Sequence, residues 1–206
     1  MNRAVSTLPI AAVFFGGCAL LDKAEPLDVT YFDPSPAAIR EQAIAGATND
    51  RGSIELRLDR VTAAEHLRER IAYRRRGVEI GFYEDQRWAE QPDTYVRRAL
   101  AHALFDEQGF GEAVSGARPA LEAELVAFEE VRSPRGKGAR VSIRYALRDG
   151  ARVVASDLIT IERPLDGGGQ PIDLARALGD ALGAASTEIG KRTAAALETP
   201  EPGDEP

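Results

Sequence analysis

At 206 residues, with 44% hydrophobic and 29% charged side chains, the chain carries apolar material for one folded domain with short flanking segments, which excludes disorder throughout. A formal net charge of −7 at pH 7 gives no support to a phosphate-neutralising surface, so nucleic acid is not an expected partner. One cysteine excludes an intramolecular disulfide and leaves a thiol that its position must explain.

Arg3 starts the chain with positive charge, Ala4 to Phe15 is mostly apolar, and Gly16-Gly17 stands before Cys18. This is the anatomy of a secretory signal peptide over residues 1–17. The apolar run falls short of the ~20 residues a helix needs to cross a bilayer. Phe15-Gly16-Gly17-Cys18 resembles a bacterial lipobox, in which the thiol receives diacylglycerol, the preceding bond is cut and the cysteine becomes the new N-terminus. Each buried CH₂ of an acyl chain contributes about 0.8 kcal/mol, so several chains on Cys18 make a lasting anchor. The covalent lipid, palmitate among its acyl chains, is the only cofactor expected; a free or buried cysteine is the plainer alternative. Ala19 follows where Asp would retain a lipoprotein in the inner membrane of well-studied Gram-negative bacteria. That similarity favours the outer membrane, with the domain facing the periplasm.

Residues 18–50 are expected to form the lipidated N-terminus, a tether and a short strand at Val29–Phe32, followed by Asp33-Pro34-Ser35-Pro36 and a helical or loose connection. The main domain is expected over 51–197. Ser53 to Val61 alternates, with Ile54, Leu56 and Leu58 opposite Glu55, Arg57 and Asp59, the period of a half-buried strand. Arg70 to Tyr83 predicts a hairpin turning around Arg74-Arg75-Arg76-Gly77. Pro92-Asp93 opens a helix with apolar positions Val96, Leu100, Ala103 and Leu104, ended by Gly109. Ala120 to Val131, Arg140 to Arg148 and Arg152 to Arg163 each alternate and predict a three-strand meander. In its middle strand Val141, Ile143, Tyr145 and Leu147 face a core, while Arg140, Ser142, Arg144 and Arg148 face water. Asp149-Gly150 is the stronger of its two turn signals. After Gly167-Gly168-Gly169, a second amphipathic helix carries Ile172, Ala175, Leu178, Leu182, Ala185 and Ile189. Residues 198–206 are acidic, Pro-rich and expected to be disordered. The resulting fold class is α/β: a three-layer domain with a mixed, largely antiparallel sheet covered by two main helices.

Chemistry-bearing residues are sparse. His66 and His102 have no metal-ligand spacing, the only thiol is taken by the anchor, and Gly167–Gly169 lacks a phosphate-binding lysine pattern. Glu129-Glu130 and Glu84-Asp85 are read as solvated charges, because neighbours in a strand point to opposite faces. Arg74-Arg75-Arg76 forms a basic patch that fits acidic headgroups, an acidic partner or simply a solvated turn. Trp88, with Tyr83 nearby, is read as a core corner in preference to an interface anchor. A lipid-anchored hydrolase is disfavoured because no Ser-His-Asp set can be assembled around the two histidines.

Val78-Glu79-Ile80-Gly81-Phe82-Tyr83-Glu84-Asp85-Gln86-Arg87-Trp88-Ala89-Glu90-Gln91-Pro92, followed by the Val96–Leu104 helix, resembles the ABC-type transport auxiliary lipoproteins. That group includes the lipoprotein component of paraquat-inducible MCE transport systems. The resemblance covers about Ser53 to Leu197 and is specific only over Tyr83–Pro92, where Gln91 departs from the family pattern by standing between Glu90 and Pro92. It implies a non-catalytic periplasmic accessory to a system that moves lipids or other hydrophobic molecules between membranes. The implied partners are an MCE-domain protein and the ABC permease and ATPase, with self-association into a homo-oligomer left open. Tyr83, Arg87, Trp88 and Pro92 form the family-defining corner, in a folding or docking role. A second class consistent with the same anchor and domain is an outer-membrane activator of a peptidoglycan synthase.

Overall fold

A computed structural model describes residues 28–45, 54–134, 136–165 and 169–198. The expected signal peptide, Cys18 and the acidic tail from Thr199 lie outside the described residues. In chain order the elements are β1 (Thr30–Phe32), α1 (Ala37–Ala45), β2 (Glu55–Ala63), β3 (Arg70–Arg75), β4 (Glu79–Trp88) and α2 (Pro92–Ala101). A π-helical turn (His102–Glu107) and β5 (Gly111–Glu112) follow, then β6 (Ala120–Ser133), β7 (Gly136–Asp149), β8 (Arg152–Pro164) and α3 (Pro171–Glu198).

The eight strands form one open mixed sheet centred on β6. One edge of β6 is lined along its whole length by β7, which turns through Gly150 into β8. The other edge is divided. Arg57–Ala63 of β2 pairs with Ala120–Leu125, and Ala72–Arg75 of β3 pairs with Glu129–Arg132, both in parallel. Between these two partners β6 advances from Leu125 to Ala127 while β7 moves only from Ile143 to Ser142, a bulge at Val126. The bulge changes the phase of the strand. Leu121 and Leu125 face the core before it; Phe128 does so after it, opposite Val141.

Val141, Ile143, Tyr145 and Leu147 are buried as their alternation predicts, and α3 lies over β7 and β8. Arg144 is exposed on the opposite face, whereas Ser142 is buried there and hydrogen-bonded to Thr160 at 2.9 Å. The α/β class, the mixed sheet and the two main helices are as expected, and α1 adds a third helix. α1 and α2 both pack on α3, so the helices share one face of the sheet.

Helix α2 starts with Pro92 at its first turn, where the missing N–H costs no hydrogen bond. Gln91 occupies the N-cap with extended backbone, the conformation favoured before proline, and its carbonyl accepts from Thr94 N at 3.0 Å. The extra residue in the turn is therefore absorbed as the cap. The helix does not stay α-helical as far as Gly109: its last segment widens to π geometry, with Gln108 N donating to Ala103 O. Val96, Leu100, Ala103 and Leu104 are all buried. In α3 the buried stripe begins at Leu174 and Ala175, leaving Ile172 of the first turn 45% exposed, contrary to its place in the expected stripe. That turn precedes the helix's first contact with the core.

Helix α3 also receives the Pro34-Ser35-Pro36 segment, all three residues of which are buried. A Cβ on Gly179 would stand 2.7 Å from Pro34 O, so a side chain there would displace backbone. Gly179→Val is expected to destabilise the fold by about 1–3 kcal/mol through overpacking. A fall in the urea midpoint at unchanged slope checks it.

Candidate functional site

Four strands bring one polar cluster together at the end of the sheet. β3 supplies Tyr73, β4 supplies Tyr83, and β6 supplies Glu130 and Arg132, with Lys137 joining from β7. Parallel pairing sets Tyr73 beside Glu130, and the phase change at the bulge turns Glu130, with Phe128, to the side occupied by Leu121 and Leu125. Glu130 is fully buried. Its carboxylate accepts from the Tyr83 hydroxyl and from Arg132 Nε at 2.6 Å, with Lys137 Nζ at 3.5 Å. The Arg132 guanidinium lies 3.7 Å from the centroid of the Tyr73 ring, which meets Tyr83 edge-on at 5.8 Å. A Cβ on Gly81 would fall within 2.3 Å of the Tyr73 ring, so the absence of a side chain there makes room for it.

The charges of this cluster are held away from neutral pH. Burial opposes ionisation of Glu130, but hydrogen bonds from Arg132 and Tyr83 and the charges of Arg132 and Lys137 outweigh it, leaving its pKa lowered. Burial, then the Glu130 carboxylate, push the Tyr83 hydroxyl up to about 12. Burial disfavours the charged form of Arg132, yet the bond to Glu130 raises its pKa overall. With an ionised acid, a neutral phenol and a fixed cation, the cluster holds geometry instead of moving protons.

Glu129 faces the opposite side of the sheet and is also fully buried, with Arg74 Nε at 2.6 Å and Arg140 at 3.6 Å. The reading of Glu129-Glu130 as solvated charges is thus overturned, although their opposite orientation holds. Glu129 is covered by arginines that pairing with β3 and β7 delivers, whereas Glu130 is met by Arg132 of its own strand, by Lys137 of β7 and by Tyr83 from β4. Glu84 and Asp85 are exposed.

Trp88 is 2% exposed and meets Phe128 edge-on at 5.2 Å, and its backbone N–H donates to Glu69 O at 2.6 Å. Tyr83 and Trp88 differ in strand parity yet reach partners two residues apart on β6. A bulge allows this: β4 advances from Phe82 to Arg87 while β3 covers only Ala72 to Arg70. Pro92 is buried, and Arg87 Nη1 donates to the carbonyls of Tyr83 and Gln86. Tyr95, which sequence reading passed over, receives the Glu90 N–H on its hydroxyl at 2.9 Å and so ties the turn to the helix. The three arginines of the hairpin separate: Arg74 folds onto Glu129, whereas Arg75 and Arg76 stay exposed.

His66 stands apart from this cluster, and His102 sits near Asp106 and Glu107 of its own π-helical turn. Among the described residues no group of three His, Cys, Asp or Glu lies close enough to hold a metal ion. On the face away from the helices, Arg60, Thr62, Glu124, Arg144, Ser156 and Leu158 line an open groove of about 480 Å³, crossed by the Arg144–Glu124 ion pair at 2.6 Å.

The family model for the ABC-type transport auxiliary lipoprotein component matches residues 36–190, from the start of α1 through most of α3. The chain belongs to that family. Solved structures share the fold. Protein XCC0632 from Xanthomonas campestris superposes with a TM-score of 0.67 at 20% identity, over 82% of this chain and 97% of its own. An uncharacterized protein matches with a TM-score of 0.59 at 15% identity, over 68% and 92%. The hypothetical protein CT253 from Chlamydia trachomatis matches with 0.51 at 8% identity, over 72% and 98%. No curated protein matches the chain. Within this auxiliary lipoprotein, Tyr83, Trp88 and Pro92 turn toward the protein interior. Tyr73, Glu130, Arg132 and Lys137 were missed in the sequence. The available signal was the Glu130-Val131-Arg132 spacing, which puts opposite charges on one face of a strand two residues apart.

Proposed function

We propose that the chain is a periplasm-facing, non-catalytic accessory of an MCE-type ABC transport system that moves lipids or other hydrophobic molecules between membranes. Acylated Cys18 holds it in the outer membrane, and the energy comes from a separate ATPase. The observation that carries this reading is the family match over residues 36–190, which takes in the Tyr83–Pro92 corner first noted in the sequence. None of the described helices is long and apolar enough to cross a membrane. Arg87, with Tyr83, Trp88 and Pro92, builds the rigid corner behind a docking surface for the MCE-domain protein.

Affinity capture of the tagged chain from its native membrane in mild detergent tests this, with Cys18→Ala as control and mass spectrometry as readout. MCE-domain, permease and ATPase subunits are expected with the acylated form. A peptidoglycan synthase captured without them would replace the transport reading by the activator one.

A further inference from the structure

Two turns meet at one end of the sheet. Arg75 stands opposite Arg132 in the parallel β3–β6 ladder, and Ser133 stands opposite Gly136 in the β6–β7 hairpin. The β3–β4 turn therefore lies level with the β6–β7 turn. Among the described residues this end exposes Arg75, Arg76 and Lys137 in a chain of net charge −7. The Arg76 side chain is 89% exposed, and its nearest carboxylate, Glu79 at 3.9 Å, is shared with Arg75 at 3.5 Å. Beside it Val78 is 86% exposed, and Ile80 is also exposed.

Arg76 is also the only non-glycine residue with positive φ among those described, at 50°, followed by Gly77 at 77°. Left-handed backbone disfavours a long L side chain and is normally left to glycine or asparagine. Arg76 therefore carries a long cationic side chain at a turn position that glycine or asparagine fills with less strain.

The chain's entry points to the same end. β1 runs parallel to β4, with Thr30 opposite Gln86, so the backbone ahead of Thr30 is directed toward the β3–β4 turn. The strand from Glu79 to Gln86 spans about 23 Å. The chain from Cys18 to Thr30 reaches up to about 40 Å when extended. An anchor on Cys18 can thus lie beyond the turn.

We propose that this end of the sheet rests on the anionic lipid surface that holds the chain, with Arg75, Arg76 and Lys137 meeting phosphate headgroups and Val78 entering the interfacial layer. Resting on the anchored-lipoprotein reading, it assigns the hairpin a second attachment that fixes orientation. Acyl chains resist extraction but leave a tethered domain free to tumble; a basic, apolar contact gives it one face toward the bilayer. The opposite end, with α2 and β5, then points into the periplasm.

The test uses the full acylated chain reconstituted in phosphatidylcholine vesicles with or without phosphatidylglycerol. Val78→Cys or Val114→Cys carries an environment-sensitive fluorophore, Cys18 being consumed by the anchor. Val114 is 92% exposed and lies near the opposite end, beyond β5, which pairs with the start of β2. With phosphatidylglycerol present, the probe at 78 is expected to shift to the blue and become about threefold less accessible to acrylamide, while the probe at 114 stays aqueous. Arg76→Asn suits the left-handed backbone and removes the charge, so it is expected to reduce the shielding without unfolding the hairpin. A probe at 78 that remains aqueous on vesicles carrying the chain overturns the lipid contact alone and leaves that end to a protein partner. A chain that fails to float with the vesicles overturns the anchor, and the lipid contact with it.

Discussion

Trp88→Ala is expected to cost about 3–5 kcal/mol of stability, the range for deleting a large buried aromatic. For a domain of this size that lowers the melting temperature by on the order of 10 °C or more. Trp88 is 2% exposed and packs edge-on against Phe128, so the cavity would open where β4, β6 and the start of α2 meet. Differential scanning calorimetry of Trp88→Ala beside Trp88→Phe checks it, the phenylalanine filling part of the space. A loss below about 1 kcal/mol for alanine would mean that the Trp88–Phe128 contact contributes little to the core. If both variants stay folded but only alanine loses its transport partners, the docking role of the corner gains support over a purely architectural one.

Glu130→Ala is the second large effect. It leaves Arg132 and Lys137 facing each other without their shared anion and the Tyr83 hydroxyl without an acceptor. Breaking a buried pair from one side costs several kcal/mol; because Arg132 and Lys137 keep part of their solvent contact, about 2–4 kcal/mol is expected here. Glu130→Gln keeps an acceptor for Tyr83 and loses the charge, so a smaller loss is expected. The pH dependence has a definite sign. The folded-state pKa of Glu130 lies below its ordinary value of 4.5, so its stabilisation is present above that value and is lost as pH falls through the lower, folded one. The Tyr83 pKa is raised from 10.0 to about 12, so that group's contribution is full below pH 10 and is lost as pH rises toward 12. Urea midpoints across pH should therefore fall at both extremes in the parent chain. The acid limb is expected to flatten in Glu130→Gln and the alkaline limb in Tyr83→Phe. An unchanged acid limb in Glu130→Gln would show that other carboxylates govern acid unfolding.

Glu130 and Phe128, the partner of Trp88, both lie in the segment where local pattern was an incomplete guide. Ala120 to Val131 alternates in the sequence, but the alternation changes phase at Val126, and only that shift puts Phe128 and Glu130 on the side of Leu121 and Leu125, with Glu129 on the other. A bulge of this kind carries no composition signal when every neighbour is apolar or small. It becomes visible once β6 has two different partners, β2 and β3, along one edge.

The amino-acid sequence by itself determined the elements whose forces are local: the strand alternation of β7, the proline-opened α2, the Asp149-Gly150 turn and the apolar stripe of α3. It also carried the Tyr83–Pro92 pattern by which the family was first noticed, because that corner is continuous in the chain. What only the tertiary structure decided was the fate of charges whose partners are distant in sequence. Glu130 meets Tyr83 from 47 residues away, and Glu129 meets Arg74 from 55. A carboxylate is solvated by default and stays ionised in a sheet interior only when cations are brought to it. Arg132 lies two residues from Glu130 on the same strand, but Tyr83 and Arg74 come from strands that only pairing places there, and periodicity cannot report them.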